Sequence, residues 1–197
     1  MTTKFFLLTL ATTTTTIIPP SQYMKIISPN DIIVGIFNTS TGSSSGVNVG
    51  NWVSDESPSS AFDGDINTKY LNYAAGDTSI TGGLQSGFYV TPLIGRSIAT
   101  GIQFATANDN FERDPITVTL EGSNNASAQL SLGASWKLIY SGSTGIYASV
   151  DPGRMTYVAM QNFNNTLAYT SYRLLATSKR ASSYGVQYSE VNIYSLV

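Results

Sequence analysis

Asp63, Asp65 and Asn67 place three oxygen-bearing side chains at alternate positions around Gly64, in the stretch Ser60-Ala61-Phe62-Asp63-Gly64-Asp65-Ile66-Asn67-Thr68-Lys69-Tyr70. A hard cation such as Ca2+ needs several carboxylate, amide and carbonyl oxygens at about 2.3–2.6 Å on a chain that can curl, and this stretch supplies them. It is not an EF-hand, because no glutamate closes a twelve-residue loop and no helical pattern flanks it. On its own, Asp-Gly-Asp is also an ordinary turn sequence. A second charged group, Glu112-Arg113-Asp114 ahead of Pro115, could be an acid/base cluster. It reads more simply as a loop clamp, with the Arg113 guanidinium and a neighbouring carboxylate fixing the turn.

The chemistry that is missing narrows the function further. The 197 residues contain no histidine and no cysteine. Without histidine there is no Ser–His–Asp triad and no usual general base near neutral pH. Without either residue, zinc and copper lose their nitrogen and sulfur ligands, leaving oxygen sites suited to calcium or magnesium. Disulfides are excluded. A glycosidase would need two carboxylates about 5–10 Å apart in a cleft, and no such pair is legible in the sequence. The net charge of −2 and the lack of a basic run exclude nucleic acid as a main partner. The expectation is a chain that is not an enzyme.

These residues must be positioned by β-structure. Charged residues make up only 11% of the chain, against roughly 25% in an average soluble domain. Ser, Thr, Asn and Gly provide the polar surface instead, as in extracellular β proteins. Short alternating runs recur over 32–37, 87–90, 98–105, 116–121, 136–141, 156–161, 169–177 and 184–194, separated by Gly, Pro, Asn and Ser clusters. In one of them Ile116, Val118 and Leu120 alternate with Thr117, Thr119 and Glu121, the period of a half-buried strand. About eight such strands predict an all-β fold, an antiparallel β-sandwich or jelly roll. Trp136 is expected in its core. Trp52, Tyr73, Phe111 and Tyr147 fall in loop-like stretches where packing explains an aromatic ring less easily, so they are candidates for ligand binding.

Four ordered segments then carry a family likeness: Ala61-Phe62-Asp63-Gly64-Asp65 through Thr68-Lys69-Tyr70; the strand 98–105 running into Thr106-Ala107-Asn108-Asp109; Glu112-Arg113-Asp114-Pro115 followed by Leu120-Glu121-Gly122-Ser123; and the closing Tyr188-Ser189-Glu190-Val191-Asn192-Ile193-Tyr194. In order and spacing they resemble the discoidin-like, coagulation-factor C-type, galactose-binding-like family, which includes family 32 carbohydrate-binding modules. The resemblance covers roughly residues 48–197. It implies a structural calcium held by side-chain oxygens of Asp63, Thr68 and Glu190, with Asp65 giving a carbonyl or carboxylate and Phe62 a carbonyl. Tyr70 stands where the family usually has tryptophan, a departure that touches packing more than the metal. The family's sugar sites use exposed aromatics with Arg, Asn and His on variable loops, and no matching set is recognisable in this sequence.

Ahead of this domain, taken as 23–197, lies an apolar and threonine-rich segment, 1–22, ending in the stiff Pro19-Pro20 hinge. Its apolar run is too short for a transmembrane helix, which needs about 20 residues. It reads either as a signal peptide or as an extended strand, docked on its own domain or donated to a neighbour through Phe5, Phe6, Leu7, Leu8, Leu10, Ile17 and Ile18. Fifteen extended residues reach roughly 50 Å, which favours a neighbour. Head-to-tail donation of that kind builds filaments. The main expectation is therefore an extracellular or cell-surface structural subunit that self-assembles into a homo-oligomer, filament, fibril or surface layer. The alternative is a calcium-stabilised, lectin-like module that binds glycans. Asn38, Asn125 and Asn164 open three N-glycosylation triplets.

Overall fold

The computed structural model of the chain describes residues 22–37, 50–52, 54–74 and 79–197. They form an antiparallel β-sandwich. One layer has four strands in the order β1 (Tyr23–Lys25), β11 (Glu190–Leu196), β5 (Gly101–Ala105) and β8 (Gln161–Asn162). The other has five, β2 (Ile32–Phe37), β4 (Ser86–Thr91), β9 (Ser171–Lys179), β6 (Pro115–Ser123) and β7 (Lys137–Ser143). A two-stranded ribbon pairs β3 (Tyr70–Asn72) with β10 (Val186–Tyr188). Among the described residues no helix is long and apolar enough to cross a membrane.

Alternation builds the core. Val118 and Leu120 of β6, Phe88 and Val90 of β4, and Leu174 of β9 meet Ile102 and Phe104 of β5 and Val191 and Ile193 of β11 between the layers, all nearly inaccessible to solvent. An apolar residue on every second position suits this packing, because the pleat sends alternate side chains to one face. Tyr172, Leu174 and Ala176 are buried as the alternation predicts, but Arg173 and Leu175 are buried too. The cause is a cover over the outer face. Residues 127–136 lay Leu130 and Trp136 over Val34, Ile36, Tyr89 and Leu175 as a second, smaller core. There the Trp136 indole N–H donates to the Leu130 carbonyl at 3.2 Å, and the Arg173 guanidinium lies 5.1 Å from its ring centre.

Three expected strands differ from those observed. The run 98–105 is a strand only from Gly101, and 156–161 contributes only β8 and an isolated bridge from Tyr157 to Ala105. The run 184–194 divides at Ser189, where the chain leaves the β3–β10 ribbon for the four-stranded layer. β1 and β3 are three residues each, too short for any periodicity to reveal.

Candidate functional site

The division at Ser189 places the first functional group. Tyr188 pairs with Tyr70 in the ribbon, so two residues further on Glu190 arrives beside the turn that ends at Thr68. Gly64 has φ of +86°, a left-handed conformation that an L side chain rarely adopts. That turn aims the Gly64 N–H at Glu190 Oε1, 2.9 Å away. Asp63 stands against the same carboxylate. Its Oδ1 accepts from the Asp65 amide at 2.9 Å and its Oδ2 from the Thr68 hydroxyl at 2.7 Å. The Thr68 hydroxyl also reaches the Asp65 carbonyl at 2.9 Å. Phe62 is buried with its ring 5.5 Å from that of Phe88, which fixes the start of the turn.

The electrostatics of this pair are unusual. Burial, reinforced by a hydrogen bond and repulsion from Asp63, pushes the Glu190 carboxyl up to about 7. No Lys or Arg forms a salt bridge with Asp63 or Glu190 among the described residues. Asp63 is half-buried and Lys25 offsets part of the Glu190 charge from beyond salt-bridge distance; a divalent ion would offset the rest. The donor set fits a hard cation: carboxylates of Asp63 and Glu190, the Thr68 hydroxyl, and main-chain oxygens of the turn. The Asp65 carboxylate is turned elsewhere. Its Oδ1 caps the Asn67 amide at 2.9 Å and its side-chain amide at 2.7 Å, which hold the Asp65 carboxyl below its ordinary value. The Asp65 carbonyl is itself bonded, accepting from the Thr68 amide at 3.1 Å and the Thr68 hydroxyl at 2.9 Å, so an ion would have to displace the hydroxyl to reach it. Among the described residues no three His, Cys, Asp or Glu side chains cluster, so neutral oxygens would have to complete any coordination.

Beyond this turn, Lys69 bridges to Asp109 at 2.7 Å and to Glu56 at 3.3 Å. Burial alone would raise the Asp109 carboxyl, but hydrogen bonds from Lys69 and Gln187 hold it below its ordinary value. The Asp63–Thr68 turn is thereby tied to the loop that leaves β5. That loop carries Phe111, and the segment after β7 carries Tyr147; both rings project into solvent. One residue organises them. Arg180, immediately after β9, donates to the carbonyls of Phe111 (3.2 Å), Tyr147 (2.7 Å), Ala148 (3.0 Å) and Val150 (3.2 Å). Its guanidinium also lies 5.8 Å from the Phe111 ring centre and pairs with the fully buried Asp114 at 3.2 Å.

Asp114 also receives two hydrogen bonds from Arg154, at 2.8 and 2.7 Å, and Arg154 continues to Asp151 at 2.6 Å. The expected Arg113 clamp is therefore corrected. Asp114 is held by Arg154 and Arg180, whereas Arg113 turns to Ser183 at 3.2 Å and Gln187 at 3.4 Å. The adjacent side chains Arg113 and Asp114 depart in different directions, so sequence adjacency misassigned the partner. A trace of the true one existed: Lys179-Arg180 is a rare pair of adjacent cations in a chain with ten Lys and Arg in all.

The four aromatic candidates separate into two groups. Phe111 and Tyr147 share the Arg180 loops. Trp52, itself half-buried, lies on Gly35 of β2, where a Cβ would come within 2.6 Å of its ring, and beside Pro58, so packing accounts for its position. Tyr73 is half-buried, its amide bonded to the Asn51 carbonyl at 2.8 Å. Asn125 and Asn164 are exposed. Asn38 and the seven apolar residues from Phe5 to Ile18 lie outside the described residues.

No family model and no curated protein matches the sequence. Solved structures match at the level of fold. The family 32 carbohydrate-binding module of C. perfringens NanJ, in complex with galactose, is 14% identical, with a TM-score of 0.56 over 88% of this chain and 99% of that one. A Clostridium perfringens module of the same family in complex with GalNAc-β-1,3-galactose is 15% identical, with a TM-score of 0.56 over 87% and 100%. The family 32 module of Streptococcus pneumoniae EndoD is 11% identical, with a TM-score of 0.54 over 87% and 99%. Its architecture and these likenesses together give the chain the discoidin-like β-sandwich fold of family 32 carbohydrate-binding modules.

Proposed function

We propose that this chain is a non-catalytic, extracellular carbohydrate-binding module whose saccharide surface is the Phe111 and Tyr147 loop pair. The observation that carries this reading is the Arg180 guanidinium, which ties both aromatic loops to a buried carboxylate and so holds two exposed rings on a rigid base. Loops fixed before binding lose little conformational entropy on meeting a ligand. An aromatic face offers an apolar surface to the C–H face of a pyranose, and the exposed amides of Asn108 and Asn110 on the same loop offer hydrogen bonds to its hydroxyls. The folds described above support the ligand class, since two of those modules are seen with galactose-containing sugars.

A calcium ion is the second part of the reading. Asp63, Glu190, Thr68 and the main-chain oxygens of Phe62 and Asp65 would hold it, and it would balance the carboxylate charge that Lys25 offsets only in part. Through Lys69 and Asp109 the same ion would steady the Phe111 loop. Isothermal titration of the full chain with galactose, N-acetylgalactosamine and GalNAc-β-1,3-galactose, with and without calcium, tests both parts. Saturable binding lost on Phe111→Ala and Tyr147→Ala supports the reading. Binding untouched by both substitutions would remove the loop pair as the saccharide surface.

A further inference from the structure

At the Gly101 end of β5, away from the Ala105 end that feeds the Phe111 loop, a cleft of about 430 Å3 crosses the four-stranded layer. Val191 and Ile193 point into the core, so Tyr194 and Leu196 face outward by alternation, and Leu196 lines the cleft beside its register partner Tyr23. Asn162 at the end of β8 and Phe163, Asn164 and Thr166 in the turn after it line the cleft as well.

Part of the backbone around this cleft is already paired. Phe163 N–H donates to the Thr100 carbonyl at 3.0 Å, Thr100 N–H to the Tyr194 carbonyl at 2.7 Å, and Val197 N–H to the Gln22 carbonyl at 2.7 Å. At these positions recognition would fall to side chains. Two of the lining side chains are committed internally. Asn165 donates to the carbonyls of Ala99 and Leu167, both at 3.0 Å, and Thr100 Oγ1 accepts from the Leu196 amide at 2.9 Å.

Four others are not committed. The hydroxyls of Tyr23 and Thr166 and the amides of Asn162 and Asn164 make no hydrogen bond among the described residues, and all four border the same space. Leu196 and Phe163 supply apolar surface, and the Phe163 ring is fixed by stacking on Tyr140 with centres 4.9 Å apart and planes at 28°. Among the described residues no charged side chain lines the cleft.

We propose that this cleft is a second saccharide site, selective for a neutral mono- or disaccharide and independent of the Phe111 and Tyr147 surface. Each free amide both donates and accepts, and so does each hydroxyl, which matches sugar hydroxyls that do the same. The apolar wall takes the C–H face. The volume lies within the roughly 300–1,000 Å3 of small-ligand sites. Without a cation in the lining, a carboxylated or sulfated sugar would surrender hydration with no charged partner to replace it.

The test is a two-dimensional amide NMR titration of the full 15N-labelled chain with galactose, N-acetylgalactosamine, maltose and chitobiose, and with glucuronate as the charged comparison. At least one neutral sugar is expected to shift the amides of Asn164, Thr166 and Leu196 saturably. The response should weaken at least tenfold in the Asn162→Ala/Asn164→Ala variant and persist in the Phe111→Ala/Tyr147→Ala variant. Because Asn162 and Asn164 are exposed and unbonded, their replacement leaves the fold intact, and the unshifted remainder of the spectrum checks this. The proposal is overturned if sugars perturb only the Phe111 and Tyr147 loops, if no neutral sugar perturbs the cleft, or if glucuronate binds there equally well. Cleft shifts that depend on protein concentration alone, marking a second copy of the chain seated in it, overturn it as well. Failure of the loop-pair reading appears separately, at residues 108–112 and 146–150.

Discussion

The Gly64 amide donates to Glu190 across 2.9 Å of space and 126 positions of sequence, so the first functional turn and the last strand share one electrostatic problem. Asp63 sharpens it by standing against the same carboxylate. The expected solution is calcium. Adding the ion should raise the melting temperature, and a saturating excess of about 100 Kd is worth about 2.7 kcal/mol by linkage. Thermal melts with calcium and with a chelator check this. Asp63→Asn and Glu190→Gln should each abolish most of the difference.

Without the ion, the same pair dictates a pH dependence. An unfolded glutamate titrates near 4.3, whereas burial and Asp63 hold Glu190 at about 7 in the folded chain. Between those values the folded state binds more protons than the unfolded state, so stability from this group is complete below the lower value and is lost as pH rises through the upper one. Melts in chelator from pH 4 to pH 8 should show this contribution as a decline that Glu190→Gln removes. Calcium should oppose the decline, because the ion stabilises the ionised form.

Arg180→Met leaves Asp114 with Arg154 alone and releases four loop carbonyls at once. Breaking a buried ion pair from one side costs about 3–5 kcal/mol, and the Arg180 and Asp114 side chains are 5% and 0% exposed. Denaturant unfolding should show a loss of about 3 kcal/mol. Hydrogen exchange should accelerate first over residues 147–150, and saccharide affinity at the loop pair should fall with it.

Phe111→Ala and Tyr147→Ala should behave in the opposite way. Both rings are largely in solvent, at 45% and 67% exposure, and surface truncations of this kind usually move stability by less than about 0.5 kcal/mol. Each should nonetheless weaken saccharide binding about tenfold or more, as anchor aromatics do. Calorimetric titration beside an unfolding curve separates the two effects.

Gly35→Ala tests the assignment of Trp52 to packing. The added methyl would lie within 2.6 Å of the indole and 2.7 Å of Pro58, and overpacking typically costs about 1–3 kcal/mol. A measurable loss of stability with unchanged saccharide binding is expected. Unchanged stability would mean that Trp52 is free to move and returns it to the ligand candidates.

Much of the sandwich was legible in alternation alone. Residues 116–121 read as a strand because Val118 and Leu120 answer the core at every second position, and β6 runs through them. β9 was visible for the same reason, but the burial of Arg173 and Leu175 was not, since the covering segment 127–136 has no strand period and is brought there by the chain's path. The aromatic candidates show the same division. Composition placed Trp52 and Phe111 alike in loops, and only packing separates a ring that fills space over Gly35 from one that faces water.

What the residues determined unaided was local: an all-β chain without histidine or cysteine chemistry, and an oxygen-rich turn around a glycine suited to a left-handed bend. Tertiary structure decided which distant groups those local features meet. Glu190 reaches Asp63 because the chain changes sheets at Ser189, and Asp114 finds Arg154 and Arg180 rather than its neighbour Arg113. Side-chain alternation acts over two residues and leaves its mark in the sequence. The pairing of charges across a folded layer acts through space, where position in the chain carries no record of it.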